Sequence, residues 1–136
     1  MIVVDSSVWI AGFRGDPHVM PELARILDED IAALAAPIRL ELLGGSRRGE
    51  LARLKYVLSA VPSYVPTSKT WQRIEGWVES AAKAGQRFGV MDLLIASTAK
   101  DHDASIWSLD DDFERMAKLR FVKPHRPRKA RAPKAE

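Results

Sequence analysis

Sorted into apolar and polar positions, the chain alternates short unbroken apolar runs with longer stretches of helical period. The first run is Ile2–Val4, and it stops at Asp5. A run without polar alternation reads as a strand buried on both faces. Over residues 17–30, Met20, Leu23, Ile26 and Leu27 recur at helical spacing. Residues 31–35, IAALA, follow. Alanine favours helix, yet a parallel strand buried on both faces also reads as such a run, and it is taken as the second strand. Pro37 suits the first turn of a helix, IRLELL continues it, and Gly44-Gly45 breaks it. A helix resumes at Ser46 and runs to Leu58, with Leu51, Leu54, Tyr56 and Leu58 as its apolar positions.

The second half repeats the alternation. SYV at 63–65, bracketed by Pro62 and Pro66, predicts a short strand. Thr67 is a good N-cap for a long helix that Gly85 ends, with Trp71, Ile74, Val78 and Ala82 along one face. Trp71 is expected in the core and the other helical tryptophan, Trp77, at an interface. A nearly all-apolar helix begins near Asp92, ASIWSL at 104–109 predicts a strand, DDDFERMAKL a helix, and Arg120–Val122 a last short strand. Strands alternating with helices imply βαβ units, hence a parallel sheet with helices on both faces. Ligands of such sheets bind beyond the carboxyl ends of the strands.

Charge changes the picture only when it is divided. The net charge is +3, but residues 123–136 carry six Lys and Arg against one acid, leaving fifteen basic and seventeen acidic side chains in residues 1–122. This tail lacks apolar periodicity and is expected to be disordered. It serves either as a solubilising end or as a counter-charge for phosphates, with Arg126, Arg128, Lys129 and Arg131 as the candidate contacts. With 136 residues the chain is long enough for one domain around one core. The absence of cysteine excludes disulfides and thiolate metal sites. No apolar run approaches the roughly 20 residues that span a bilayer, and none resembles a signal peptide. The sequence therefore predicts a soluble cytoplasmic protein with no membrane partner.

Four acids stand at strand ends or helix starts beside strongly apolar neighbours: Asp5, Glu41, Asp92 and Asp110. Each also has a local explanation. Asp5 and Asp92 suit helix N-caps, Asp110 suits a turn, and Glu41 is able to pair with Arg39 or face solvent. Gathered at one sheet edge, however, four carboxylates repel one another unless a cation neutralises them. Oxygen-only clusters select hard cations such as Mg²⁺ or Mn²⁺. Such ions activate water and stabilise a leaving oxygen, which is chemistry for cutting nucleic acid.

The segments MIVVDSSVWI, PIRLELLGG and GVMDLLIASTAKDHDASIWSLDDDF resemble, in order and context, the motif series of PIN-domain nucleases, and among them the VapC-type ribonuclease toxins. The third segment is the most specific: an Asp, an apolar helix with small residues, a strand, then Ser108-Leu109-Asp110-Asp111-Asp112-Phe113, with Ser108 where threonine is more usual. The resemblance covers residues 1–122. It implies a three-layer α/β/α fold with a central parallel sheet and metal-binding catalytic acids at Asp5, Glu41, Asp92 and Asp110, with Asp112 the alternative for the fourth. It places Ser6 and Ser108 beside them, where they orient ligands or water. It further implies dependence on Mg²⁺ or Mn²⁺, hydrolysis of single-stranded RNA, homodimerisation and inhibition by a cognate antitoxin.

Other readings carry less. A haloacid-dehalogenase-like phosphatase needs a second Asp two residues after the first, where Ser7 stands. A phospho-receiver domain needs two early acids and a late strand-end lysine, and neither is present. A non-catalytic RNA- or protein-binding module using the basic tail remains the alternative. No P-loop, GxGxxG or histidine metal spacing occurs, and His18, His102 and His125 read as surface residues.

Overall fold

A computed structural model describes residues 1–128. Among these residues, five parallel strands, β1 (Ile2–Val4), β2 (Ala32–Ala35), β3 (Ser63–Tyr64), β4 (Ser105–Trp107) and β5 (Lys123–Pro124), form one sheet in the order β3-β2-β1-β4-β5. Seven helices connect them: α1 (Ser6–Phe13), α2 (Met20–Asp28), α3 (Ala36–Gly44), α4 (Leu51–Ser59), α5 (Ser68–Lys83), α6 (Val90–Asp101) and α7 (Asp111–Lys118). β1 and β2 are buried at every residue, so helices cover both faces and the expected three-layer α/β/α architecture is realised. β1 is the centre: Val3 pairs with Ala33 of β2 on one side and with Ile106 of β4 on the other. The chain builds outward through β2 and β3, then crosses back to β4. The order therefore reverses between β1 and β4, and a crevice opens there at the carboxyl edge.

The alanine run at 32–35 is a strand because tertiary pairing overrides propensity: its alanines and Leu34 are buried between β1 and β3. Other boundaries move. The helix expected from Ser46 begins only at Leu51, because Gly49 takes a left-handed φ of 93° that interrupts it. The last strand lies at 123–124 rather than 120–122, because Arg120 (φ 63°) forms the left-handed turn that ends α7.

α6 is tied to α5 by a polar knot inside the apolar layers. The Thr70 hydroxyl donates to Asp101, the Ser97 hydroxyl donates to the Thr70 carbonyl at 2.9 Å, and Arg73 Nη1 reaches both Ser97 (2.9 Å to Oγ) and Asp101 (2.7 Å). Thr67 and Thr70 close a capping box at the start of α5. The apolar face of α5 is not the expected one. Ile74 and Ala81 are buried and Trp77 stacks on Phe121 with centroids 4.4 Å apart, whereas Trp71 is 51% exposed and Val78 also faces solvent. Trp77 is thus the packed tryptophan and Trp71 the exposed one, because the buried stripe follows Thr70, Ile74, Trp77 and Ala81.

The basic segment also departs from expectation at its root. Lys123 and Pro124 are β5, and the His125 N–H donates to the Ile106 carbonyl at 2.7 Å. Glu22 on α2, 6% exposed, accepts Arg25 Nε at 2.5 Å and the Arg128 N–H at 3.2 Å, with His125 Nε2 at 2.9 Å. His125 is therefore half-buried rather than at the surface. The Arg25 hydrogen bond, working against burial and joined by those of His125 and Arg128, lowers the Glu22 carboxyl from 4.5 to about 2. Because β5 is parallel to β4, Arg126 and Arg128 follow it on the carboxyl edge of the sheet, with Arg126 paired to Glu114. Lys129 and Arg131 lie outside the described residues.

Candidate active site

The site stands where the sheet order reverses. Asp5 follows β1 directly and occupies the N-cap position of α1, yet its carboxylate caps nothing. It is 6% exposed, and its Oδ2 accepts two hydroxyls, Ser7 Oγ and Ser108 Oγ, each at 2.8 Å. Each hydroxyl in turn accepts a backbone N–H from the loop after β4: Ser7 from Leu109 at 3.1 Å, Ser108 from Asp110 at 3.0 Å. Asp5 is thus stitched to the segment that carries Asp110 and Asp112. A buried carboxylate with two donors is satisfied without a cap. The expected partner Ser108 takes this role. Ser7 takes the one expected of Ser6, since a residue two positions along folds back over the helix start more readily than the adjacent one.

Three carboxylates converge beyond this relay. Asp92, Asp110 and Asp112 each present an oxygen within 4.8 Å of the other two. The helix carrying Asp92 starts at Val90, with Gly89 as its N-cap, so Asp92 sits inside the first turn, where backbone N–H groups favour an anion. Asp110 is separated from β4 by Ser108 and Leu109 and is the N-cap of α7, its Oδ1 accepting the Asp112 N–H at 3.0 Å. That cap turns the chain so that Asp112 also points inward while Asp111 stays exposed. Asp110 and Asp112, weighed as alternatives in the sequence, are therefore both members.

The electrostatics match the geometry. Burial, then the hydrogen bond shared with Asp112 and the charges of Asp110, Asp112 and Asp5, push the Asp92 carboxyl up from 3.8 to about 7. Like charges held together in this way are a demand for a cation. The donor set is all oxygen, which suits a hard divalent ion rather than a thiolate- or imidazole-seeking one.

Glu41 is not brought to this cluster. It is exposed on α3 and lines a cleft of about 470 Å³ between α1, α3 and α4, with Ile10, Phe13, Leu42 and Leu54 among its apolar walls and Arg14, Arg47 and Arg53 among its cations. Arg115, which the sequence reading passed over, donates to Asp112 from one turn further along α7. The i to i+3 spacing from Asp112 is the signal that identifies it.

Residues 2–119 match the family model described as PIN domain. Ribonuclease VapC11 of Mycobacterium tuberculosis is 30% identical over 125 residues, covering 88% of this chain and 93% of that protein. Among solved structures, VapBC2 of Rickettsia felis bound to a promoter DNA fragment superposes with a TM-score of 0.74 at 16% identity, over 92% of this chain and 98% of that one. VapBC-5 of Mycobacterium tuberculosis, a member of the VapBC family of toxin-antitoxin systems, gives 0.63 at 19% identity, over 91% and 96%.

Proposed function

This chain belongs to the PIN domain family, and from that premise we propose that it is a metal-dependent endoribonuclease that hydrolyses single-stranded RNA as the toxin of a toxin–antitoxin pair. The observation that carries the reading is the convergence of Asp92, Asp110 and Asp112, one of them raised to about 7, at the switch point of the sheet. These three would hold Mg²⁺ or Mn²⁺, with Asp5 behind them keeping the Ser108–Asp110 loop in place. When bound, such an ion supplies the positive charge that a phosphodiester oxygen, an attacking water and a leaving oxygen require. The chain's own part is to fix the carboxylates before the ion arrives, which the two serine relays and the Asp110 cap accomplish. Arg126 and Arg128, on the same edge of the sheet, extend the positive field along which an RNA backbone runs, and Lys129 and Arg131 continue it in sequence.

The cleft beside Glu41 is the proposed seat of the cognate antitoxin. An apolar floor with arginines around it suits an amphipathic segment bearing acids. The solvent-facing Trp71 and Val78 of α5 offer an apolar patch for a homodimer, which light scattering of the parent and a Trp71→Arg variant tests. Among the described residues no helix is long and apolar enough to cross a membrane.

The deciding experiment is cleavage of a labelled single-stranded RNA by purified protein. Mg²⁺ or Mn²⁺ should support it, Ca²⁺ should support it poorly, and EDTA should abolish it. Full activity after metal removal overturns the reading, and RNA binding without cleavage, unchanged by chelator, replaces it with a non-catalytic module.

A further inference from the structure

Arg115 is gripped at three points. Its Nη1 donates to Gln86 Oε1 at 2.5 Å, its Nη2 donates to Asp112 Oδ1, and its guanidinium carbon lies 4.7 Å from the centre of the Phe88 ring. Phe88 is buried and meets Phe121 edge-on with centroids 6.3 Å apart, so the platform under the guanidinium belongs to the core. Gln86 and Phe88 precede α6, whose first turn holds Asp92, while Arg115 shares α7 with Asp112. The guanidinium therefore bridges the two segments that bring the acids together. Among the described residues it is the only cation paired with a member of the triad.

We propose that Arg115 is the built-in counter-ion of the acid site: it holds Asp112 while no metal is bound and, by competing for that carboxylate, sets how tightly a divalent cation is taken up. The inference takes the acids as the metal site proposed above. A fixed positive charge a few ångströms from a divalent ion opposes its entry. Gln86 and Phe88 prevent that charge from swinging away, so the opposition persists when the ion enters. The same grip keeps Asp112 from drifting toward solvent in the metal-free protein, where three carboxylates otherwise repel one another. Arg115 is thus a positioning residue whose effect is read in metal affinity.

The test is calorimetric titration of Mn²⁺ into the full-length chain, without RNA, for the parent and three variants whose folding is checked by circular dichroism. Arg115→Met removes charge and hydrogen bond, Arg115→Gln removes the charge but retains a donor, and Arg115→Lys retains the charge. Arg115→Met and Arg115→Gln should bind Mn²⁺ about tenfold more tightly than the parent, the scale set by one nearby unit charge. Arg115→Lys should stay within about threefold of it. Metal-free Arg115→Met should melt below the parent. If the parent binds Mn²⁺ and the charge-removing variants bind it equally or less well, Arg115 is no competitor and the inference falls alone. If the parent binds no Mn²⁺, the metal reading falls and takes this one with it.

Discussion

Replacing Asp92 by asparagine should make the metal-free protein more stable, by an amount that grows as the pH rises from about 4 to about 7. Asp92 is raised from 3.8 to about 7, so in the folded chain it keeps its proton across a window in which the unfolded chain has lost it. Stability therefore falls as pH rises from about 4 to about 7, and the cost is complete above that. Each pH unit across that window is worth about 1.4 kcal/mol, which gives about 4 kcal/mol for a fully shielded group. Asp92 is half-buried beside an exposed Asp110, and solvent screening brings the figure to about 2 kcal/mol. Asparagine keeps the shape and a hydrogen bond to Asp112 while removing the charge. In EDTA at pH 8 the variant should melt about 8 °C above the parent, and at pH 4 the two should melt together. Far-UV circular dichroism at both pH values measures this. A variant that melts at or below the parent at pH 8, or gains equally at both, shows that Asp92 is a structural helix-start residue and not part of a repelling cluster.

Three further outcomes follow from the same geometry. Asp110→Ala and Asp112→Ala should each reduce RNA cleavage at saturating Mn²⁺ by about 100-fold or more, whereas Asp111→Ala, exposed and outside the triad, should cost less than about threefold; a large loss at Asp111 contradicts the placement. Glu22, lowered from 4.5 to about 2, contributes stability above pH 5 that is lost as pH falls toward 2. Glu22→Gln should therefore lower stability by about 2 kcal/mol at pH 7 and by little at pH 2, as denaturant titrations will report. Ending the chain after Arg128 spares β5 and the Glu22 node but removes Lys129, Arg131 and Lys134. RNA binding to an Asp92→Asn background, followed by anisotropy, should then show a log–log salt slope flatter by about 2, and an unchanged slope means that these cations do not touch RNA.

The two central strands β1 and β2 were legible because a sheet buried on both faces leaves unbroken apolar runs, and β4 shows the buried pair Ile106-Trp107. The acids were legible because a carboxylate at the end of such a run needs a reason. Which oxygens converge was not. Asp110 and Asp112 looked like competitors, since successive residues on a regular helix diverge, but an N-cap lies outside the helix and its partner two residues on turns back toward it. Glu41 has the same apolar flanks as a buried residue, yet α3 turns that position to the cleft. Trp71 and Trp77 fall on either side of one stripe, and only the packing partner, Phe121, decides which is inside. The root of the basic tail was hidden because KPH carries no strand signal. It is held by pairing with Ile106 and by an acid a hundred residues earlier in the chain, Glu22.

The position of β1 at the centre of the sheet bears on when this protein becomes active during its synthesis. Its second neighbour is β4, and Asp5, held at first by Ser7 alone, gains its second donor only when Ser108 arrives. Everything up to β3 is able to pack behind the emerging N-terminus as the ribosome proceeds. Asp5, however, meets Ser108 across a separation of 103 residues, and contacts of long separation are the slowest class to close. Asp92 reaches its partners only after Asp110 and Asp112 are translated. A chain cut short at its midpoint holds Asp5 and Ser7 but none of the three converging carboxylates, all of which lie in the last third of the full sequence.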